Sequence, residues 1–62
     1  MTQESVRNRL IKYTEDKGVK LVHISKKIGV PDYLMAKFKT GKRELWEETL
    51  VKLDQFLKDE NY

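Results

Sequence analysis

The stretch V-K-L-V-H-I-S-K-K-I-G-V-P-D-Y-L-M-A-K-F-K-T-G-K-R, residues Val19 to Arg43, decides the fold. Ile24 and Ile28 are four apart, and Met35 and Phe38 are three apart, so each half of the stretch can fold as a short helix with one apolar face. Ser25 lies beside Ile24 on that inward side, where a small side chain lets a second helix come close. Gly29 supplies the positive φ of a tight turn, and Pro31 suits a place at or next to the first position of the following helix. Gly41 then stops the second helix. Two short helices crossing steeply over a glycine-containing turn make a helix-turn-helix.

Working outward, the segment before this stretch reads as another helix. Thr2 is an N-cap candidate and Glu4 sits early, where the helix dipole favours an acid. Val6, Leu10 and Tyr13 recur at i, i+4 and i+7 as a buried stripe flanked by Ile11. Arg7, Arg9 and Lys12 fall off that stripe and are expected in solvent. Lys17 falls in the last turn, and Gly18 is a left-handed stop. Beyond Arg43 a last helix is expected from Trp46 or Glu47 to Lys58, with Glu47 and Glu48 at its positive end. Leu50, Leu53 and Leu57 form its inner stripe, flanked by Phe56 and Thr49, while Val51 points away. Trp46 either covers the edge of the core or stands exposed as a partner contact. Asp59 to Tyr62 are expected to fray. The sum is one all-α domain, residues 1–62, of four or five helices.

Sixty-two residues leave no room for a catalytic cleft walled by a second layer. A chain this short buries only about 60% of its unfolded surface. It has no cysteine, so no disulfide or cysteine-built zinc site helps, which is compatible with a reducing cytoplasm. No apolar run approaches the length of a membrane span and nothing reads as a signal peptide, so a cytoplasmic location is expected. His23, the single histidine, falls on the outward side of its helix with no second ligand near it in sequence. No phosphate-cradling glycine loop, nucleophile triad or spaced acidic pair is present. Glu47-Glu48 and Asp59-Glu60 are sequence neighbours that point apart on a helix. An enzyme is not expected.

The net charge of +3 conceals a segregation. Residues 1–43 carry eleven Lys/Arg against four Asp/Glu, a net of +7, whereas residues 44–62 carry two against six, a net of −4. The basic part contains the helix-turn-helix and the acidic part is the tail helix. A one-sided positive field is what a polyanion-binding face requires.

The central stretch resembles the lambda repressor and Cro family of helix-turn-helix DNA-binding domains. The resemblance rests on apolar Ile24, Ile28, Val30, Met35 and Phe38, small Ser25, turn glycine Gly29 and the ending Gly41-Lys42-Arg43. It implies a lambda-repressor-like domain acting as a sequence-specific transcriptional regulator of the repressor type, with no cofactor and double-stranded DNA as partner. The helix around residues 31–40 would enter the major groove, with Asp32, Tyr33 and Lys37 facing base edges and nearby phosphates. Lys42 and Arg43 would hold the sugar-phosphate backbone. Where the family often has a Ser or Thr cap followed by a phosphate-binding Gln, this chain has Lys20 and Leu21, and Lys20 takes the phosphate role as a mobile point charge.

Two of these residues have competing structural roles: Asp32 is a natural N-cap, and Tyr33 can lie over Lys37 or a neighbouring helix. Lys39 and Thr14 replace an ion pair common in the family, so neither half of that pair is present. A homodimer, needed to cover two half-sites, would use the C-terminal helix through Trp46, Val51 and Phe56. The rival reading is a helix-turn-helix repurposed to bind a protein, as an antirepressor or an inhibitor of a DNA-binding protein. Asp32 on the reading face, Leu21, Trp46 and the acidic tail favour it.

Overall fold

Thr2 accepts a hydrogen bond from the Ser5 amide at 3.0 Å and so caps the first helix. In the computed structural model, which describes residues 2–62, that helix, α1, runs from Gln3 to Lys17 and ends on Gly18 at φ 63°. It is followed by α2 (Leu21–Ile28), α3 (Asp32–Lys39) and α4 (Glu47–Asp59), with no strand among the described residues. The domain is therefore all-α with four helices.

The turn between α2 and α3 is built as the spacing requires. Gly29 is left-handed at φ 74°, and the Val30 amide donates to the Ser25 carbonyl at 2.9 Å, closing the end of α2. Gly41 does the same for α3 at φ 81°, with Lys42 N donating to Lys37 O at 2.9 Å and Gly41 N to Phe38 O at 3.1 Å. Ser25 is fully buried, and its hydroxyl donates back to the Leu21 carbonyl at 3.1 Å. Its size, more than its polarity, is what the close helix approach uses.

This gives a first expected result. Ser25→Leu should overpack the crossing and cost about 1–3 kcal/mol. Gly29→Val should cost about 1–2 kcal/mol by a different route, the left-handed backbone alone. A side chain there would meet nothing within 4 Å. Chemical denaturation of both variants checks the pair; unchanged stability in both would refute the account of the turn.

α1 packs on α4 and α3, while α2 packs on α3 and α4. Val6, Leu10, Tyr13, Ile24, Met35, Phe38, Leu50, Leu53 and Leu57 meet in the core, as their spacing predicts. Leu45 joins them from the loop before α4, only 4% exposed. Gln3 holds it there: its amide donates to Leu45 O at 2.8 Å and accepts from Leu45 N at 3.0 Å. The core edge expected under Trp46 is thus closed by its neighbour, and Trp46 itself is 78% exposed.

Three further expectations are corrected. Arg7 and Arg9 are not solvated. Arg7 is drawn to the C-terminal end of α3, where the helix dipole favours a cation: its Nε donates to Phe38 O at 2.6 Å, its guanidinium lies 4.7 Å over the Phe38 ring, and Glu4 pairs with it at 2.8 Å. Arg9 pairs with buried Asp54 of α4 and donates to Tyr62 O at 2.8 Å. Asp59 to Tyr62 do not fray either. Asn61 turns left-handed at φ 66°, Tyr62 N donates to Leu57 O at 2.7 Å, and the Tyr62 ring packs edge-on against Tyr13 with centroids 5.2 Å apart. The Tyr62 hydroxyl then donates to Asp16 at 2.9 Å. Finally, Asp32 is not the N-cap of α3. Pro31 occupies that place with no side-chain cap, and Asp32 is the first helical residue.

Candidate nucleic-acid interface

The outward side of α3 and the loop after it carry the residues singled out for contact with nucleic acid. Asp32, Tyr33 and Lys37 are all exposed, Tyr33 by 63%. Tyr33 and Lys37 are four apart, so they stack along the helix, and Lys37 Nζ lies 5.9 Å from the Tyr33 ring centroid. That contact is the local packing expected as the alternative for Tyr33. At an exposed site it is worth about 0.5–1 kcal/mol, so a stronger ligand can displace it. Ala36 is also exposed, between the two ends of this surface. It was not among the sequence candidates, and only its small size, which leaves room for close approach, signals it.

The Gly41 turn places Lys42 and Arg43 beside the end of α3. The backbone bond from Lys42 N to Lys37 O ties the two lysine positions together. Arg43 lines a shallow cleft with Leu34 of α3, Glu44, Trp46 and Thr49. Tyr33, Lys37, Lys42 and Arg43 therefore cluster around one helix and its exit loop. Lys20 is the N-cap residue of α2, a different helix, and makes no side-chain cap bond there. Leu21 beside it is half-buried and packs against the core, which explains an apolar residue there without a partner.

Electrostatics divide along the same line. From Lys17 to Arg43 there are eight Lys/Arg and one acid, Asp32. None of those eight cations is in an ion pair among the described residues, whose ion pairs join Arg7–Glu4, Arg9–Asp54, Lys12–Asp16 and Lys58–Asp54. The acids of α1 and α4 thus neutralise cations of α1 and α4 and leave the α2–α3 surface positive. Asp32 is the exception, and among the described residues no donor bonds its carboxylate. Freed from capping, it can accept from a base amino group or a partner's donor.

Two residues that position this surface lie outside it. Arg7 fixes the C-terminal end of α3 through the Phe38 carbonyl and ring. Gln3 fixes the far end of the exit loop through Leu45. Neither is identifiable from periodicity, because each acts through a contact more than thirty residues away in sequence. No protein-family model, curated protein or solved structure matches the chain. No described helix is long and apolar enough to cross a membrane.

Proposed function

We propose that this protein is a sequence-specific DNA-binding regulator of the repressor type that lays α3 in the major groove. The observation that carries the reading is the set of unpaired cations Lys37, Lys42 and Arg43 around the exposed side of α3 and its exit loop. Lys42 and Arg43 are suited to phosphates, which supply affinity, with Lys20 as a separate phosphate contact. Asp32, Tyr33 and Lys37 are suited to base edges, which supply discrimination. The site as read uses side chains alone, without a cofactor.

A titration against duplex DNA at several salt concentrations tests it. Lys42→Ala and Arg43→Ala should each weaken binding to all sequences about equally and reduce the salt slope by about 1. Folded wild-type protein with no DNA binding even at low salt would end this reading.

A second reading, a protein-binding helix-turn-helix, draws on one observation. Trp46 is 78% exposed beside the α3 cleft, and three acids surround it in sequence, Glu44, Glu47 and Glu48. Those acids repel phosphate, so Trp46 favours a protein contact. Loss of DNA binding with retained capture of a protein ligand would move the assignment to this class.

A further inference from the structure

Trp46 is turned outward by its neighbours in the chain. On one side both backbone groups of Leu45 are bonded by Gln3, and the Leu45 side chain is buried in the core. On the other side Trp46 is the N-cap residue of α4, and its carbonyl accepts from Leu50 N at 2.8 Å. Successive side chains of extended backbone point opposite ways, so a buried Leu45 leaves the indole outside. It is 78% exposed, on a backbone held from both sides. An exposed side chain of this size is informative where an exposed leucine would not be. Beside it lies a cleft of about 150 Å³ between α3 and α4, lined by Leu34, Arg43, Glu44, Trp46 and Thr49. A space of that order takes a single apolar ring or side chain. Glu44, Glu47 and Glu48 lie within two positions of Trp46, and none is in an ion pair among the described residues. Arg43 is the one cation lining the cleft.

We infer that this cleft receives a basic segment of a partner protein, with one apolar side chain in the cleft and a lysine or arginine over the Trp46 indole. Tryptophan is the best of the aromatic faces for a cation. It is also enriched at the few positions that carry most of an interface's binding energy. The sign of the partner follows from the acids. Three carboxylates against the single Arg43 attract a cationic segment and repel an acidic one. A chain of net charge +3 repels such a segment at long range, so what holds it is contact at the patch. Arg43 also belongs to the exit loop of α3, so duplex DNA held by that loop would run beside the cleft and favour a basic partner again. The inference rests on the reading of Trp46 as a protein contact and names that partner's chemistry; it needs no bound DNA.

Trp46 is the only tryptophan, so its fluorescence reports the cleft directly. Three synthetic peptides without aromatic residues serve as probes: Lys-Arg-Leu-Arg-Lys, Lys-Arg-Ser-Arg-Lys without the apolar anchor, and acidic Glu-Asp-Leu-Asp-Glu. At low salt the first should move the emission to shorter wavelength and saturate, binding about tenfold or more tightly than either of the others. Glu44→Lys and Glu48→Lys should each weaken it about fivefold or more, while Glu44→Asp, which keeps the charge, should bind as wild type does. Both positions are exposed, so circular dichroism should find the variants folded. Equal or tighter binding of the acidic peptide would overturn the basic assignment and leave Trp46 a protein contact. Equal binding of the serine peptide would overturn the apolar anchor. No shift with any of the three would overturn the inference and the protein contact with it. An equal shift by single-stranded oligothymidylate would assign Trp46 to nucleic acid instead. Duplex binding by α3 is measured separately, so its presence or absence decides none of these outcomes.

Discussion

Arg9→Met should destabilise the fold by about 3 kcal/mol, because it strands a carboxylate that the native packing has already taken from water. Asp54 has only 12% of its side chain exposed and Arg9 26%, so the pair is far from a surface ion bridge. Lys58 also reaches Asp54, at 3.2 Å, but from a side chain 64% in solvent. It can soften the loss without replacing a guanidinium fork. Arg9 further joins α1 to the chain end through Tyr62 O, so the docking of Tyr62 on Tyr13 should loosen as well. Hydrogen exchange at the Tyr62 amide, bonded to Leu57 O, reports that part separately. A chain carrying Arg9→Met together with Asp54→Leu should be more stable than Arg9→Met alone, since no buried charge remains.

Acid titration adds a signed check on the same contact. The Arg9 hydrogen bond, aided by Lys58, holds the Asp54 carboxyl below its ordinary value of 3.8. Asp16 is likewise lowered, chiefly by the Tyr62 hydroxyl. A lowered folded-state value means stability that is present above the ordinary carboxylate range and lost as pH falls through it. Denaturation midpoints measured from neutral pH down to about pH 3 should fall on the acid side in wild type. They should fall less steeply in Arg9→Met, whose Asp54 has lost the main cause of its shift. A wild-type chain with flat acid behaviour would contradict this account of the ion pair.

What was legible in the sequence follows the range of the interaction concerned. The helix stripes at Val6–Leu10–Tyr13 and Leu50–Leu53–Leu57, and the glycine stops at Gly18, Gly29 and Gly41, depend on neighbours within a turn or two. Periodicity and backbone chemistry therefore gave them directly. Arg7 and Arg9 were misread for the same reason: an arginine off the apolar stripe looks solvated until the ends of α3 and α4 are brought to it. Asp54 and Leu45 belong with them, since their burial is decided by Arg9 and Gln3, each more than forty residues away. Tyr62 shows the limit most plainly. A polar, acidic chain end reads as fraying, yet one left-handed residue, Asn61, turns its ring back onto Tyr13.

The candidate site was legible in a different sense. Its residues could be placed on one helix and one loop from spacing, while their freedom from intramolecular partners could not. Asp32 had two competing uses in the sequence, and Pro31 as the N-cap removes one of them. Tyr33 had two as well, and there the local contact, with Lys37, is made. Arg7 and Gln3 then add what a list of contact residues omits. They hold the exit loop of α3 at both ends, at Phe38 and at Leu45, so Lys42 and Arg43 between them start from a fixed backbone.

Lys37 gives the sharpest test of the proposed base readout. Lys37→Ala should cost about 1–3 kcal/mol of binding on the preferred site, some 5- to 150-fold in affinity, and much less on random duplex. A lysine that only neutralises phosphate would instead lose affinity equally on both, with the salt slope falling by about 1. The two outcomes separate base reading from backbone contact at this one residue. Asp32→Asn completes the test. No capping bond depends on the carboxylate, so stability should change by less than about 1 kcal/mol, from loss of the favourable dipole contact alone. What Asn removes is a charge that repels phosphate and an acceptor suited to cytosine N4. On the DNA reading, Asp32→Asn should therefore bind random duplex more tightly while losing discrimination at one base pair, a fall in the specificity ratio with a rise in general affinity. If Lys37→Ala and Asp32→Asn both leave the ratio of preferred to random binding unchanged, α3 is not reading bases through these side chains. If neither variant alters DNA binding while both alter binding of a protein ligand, the exposed side of α3 belongs to a protein interface instead.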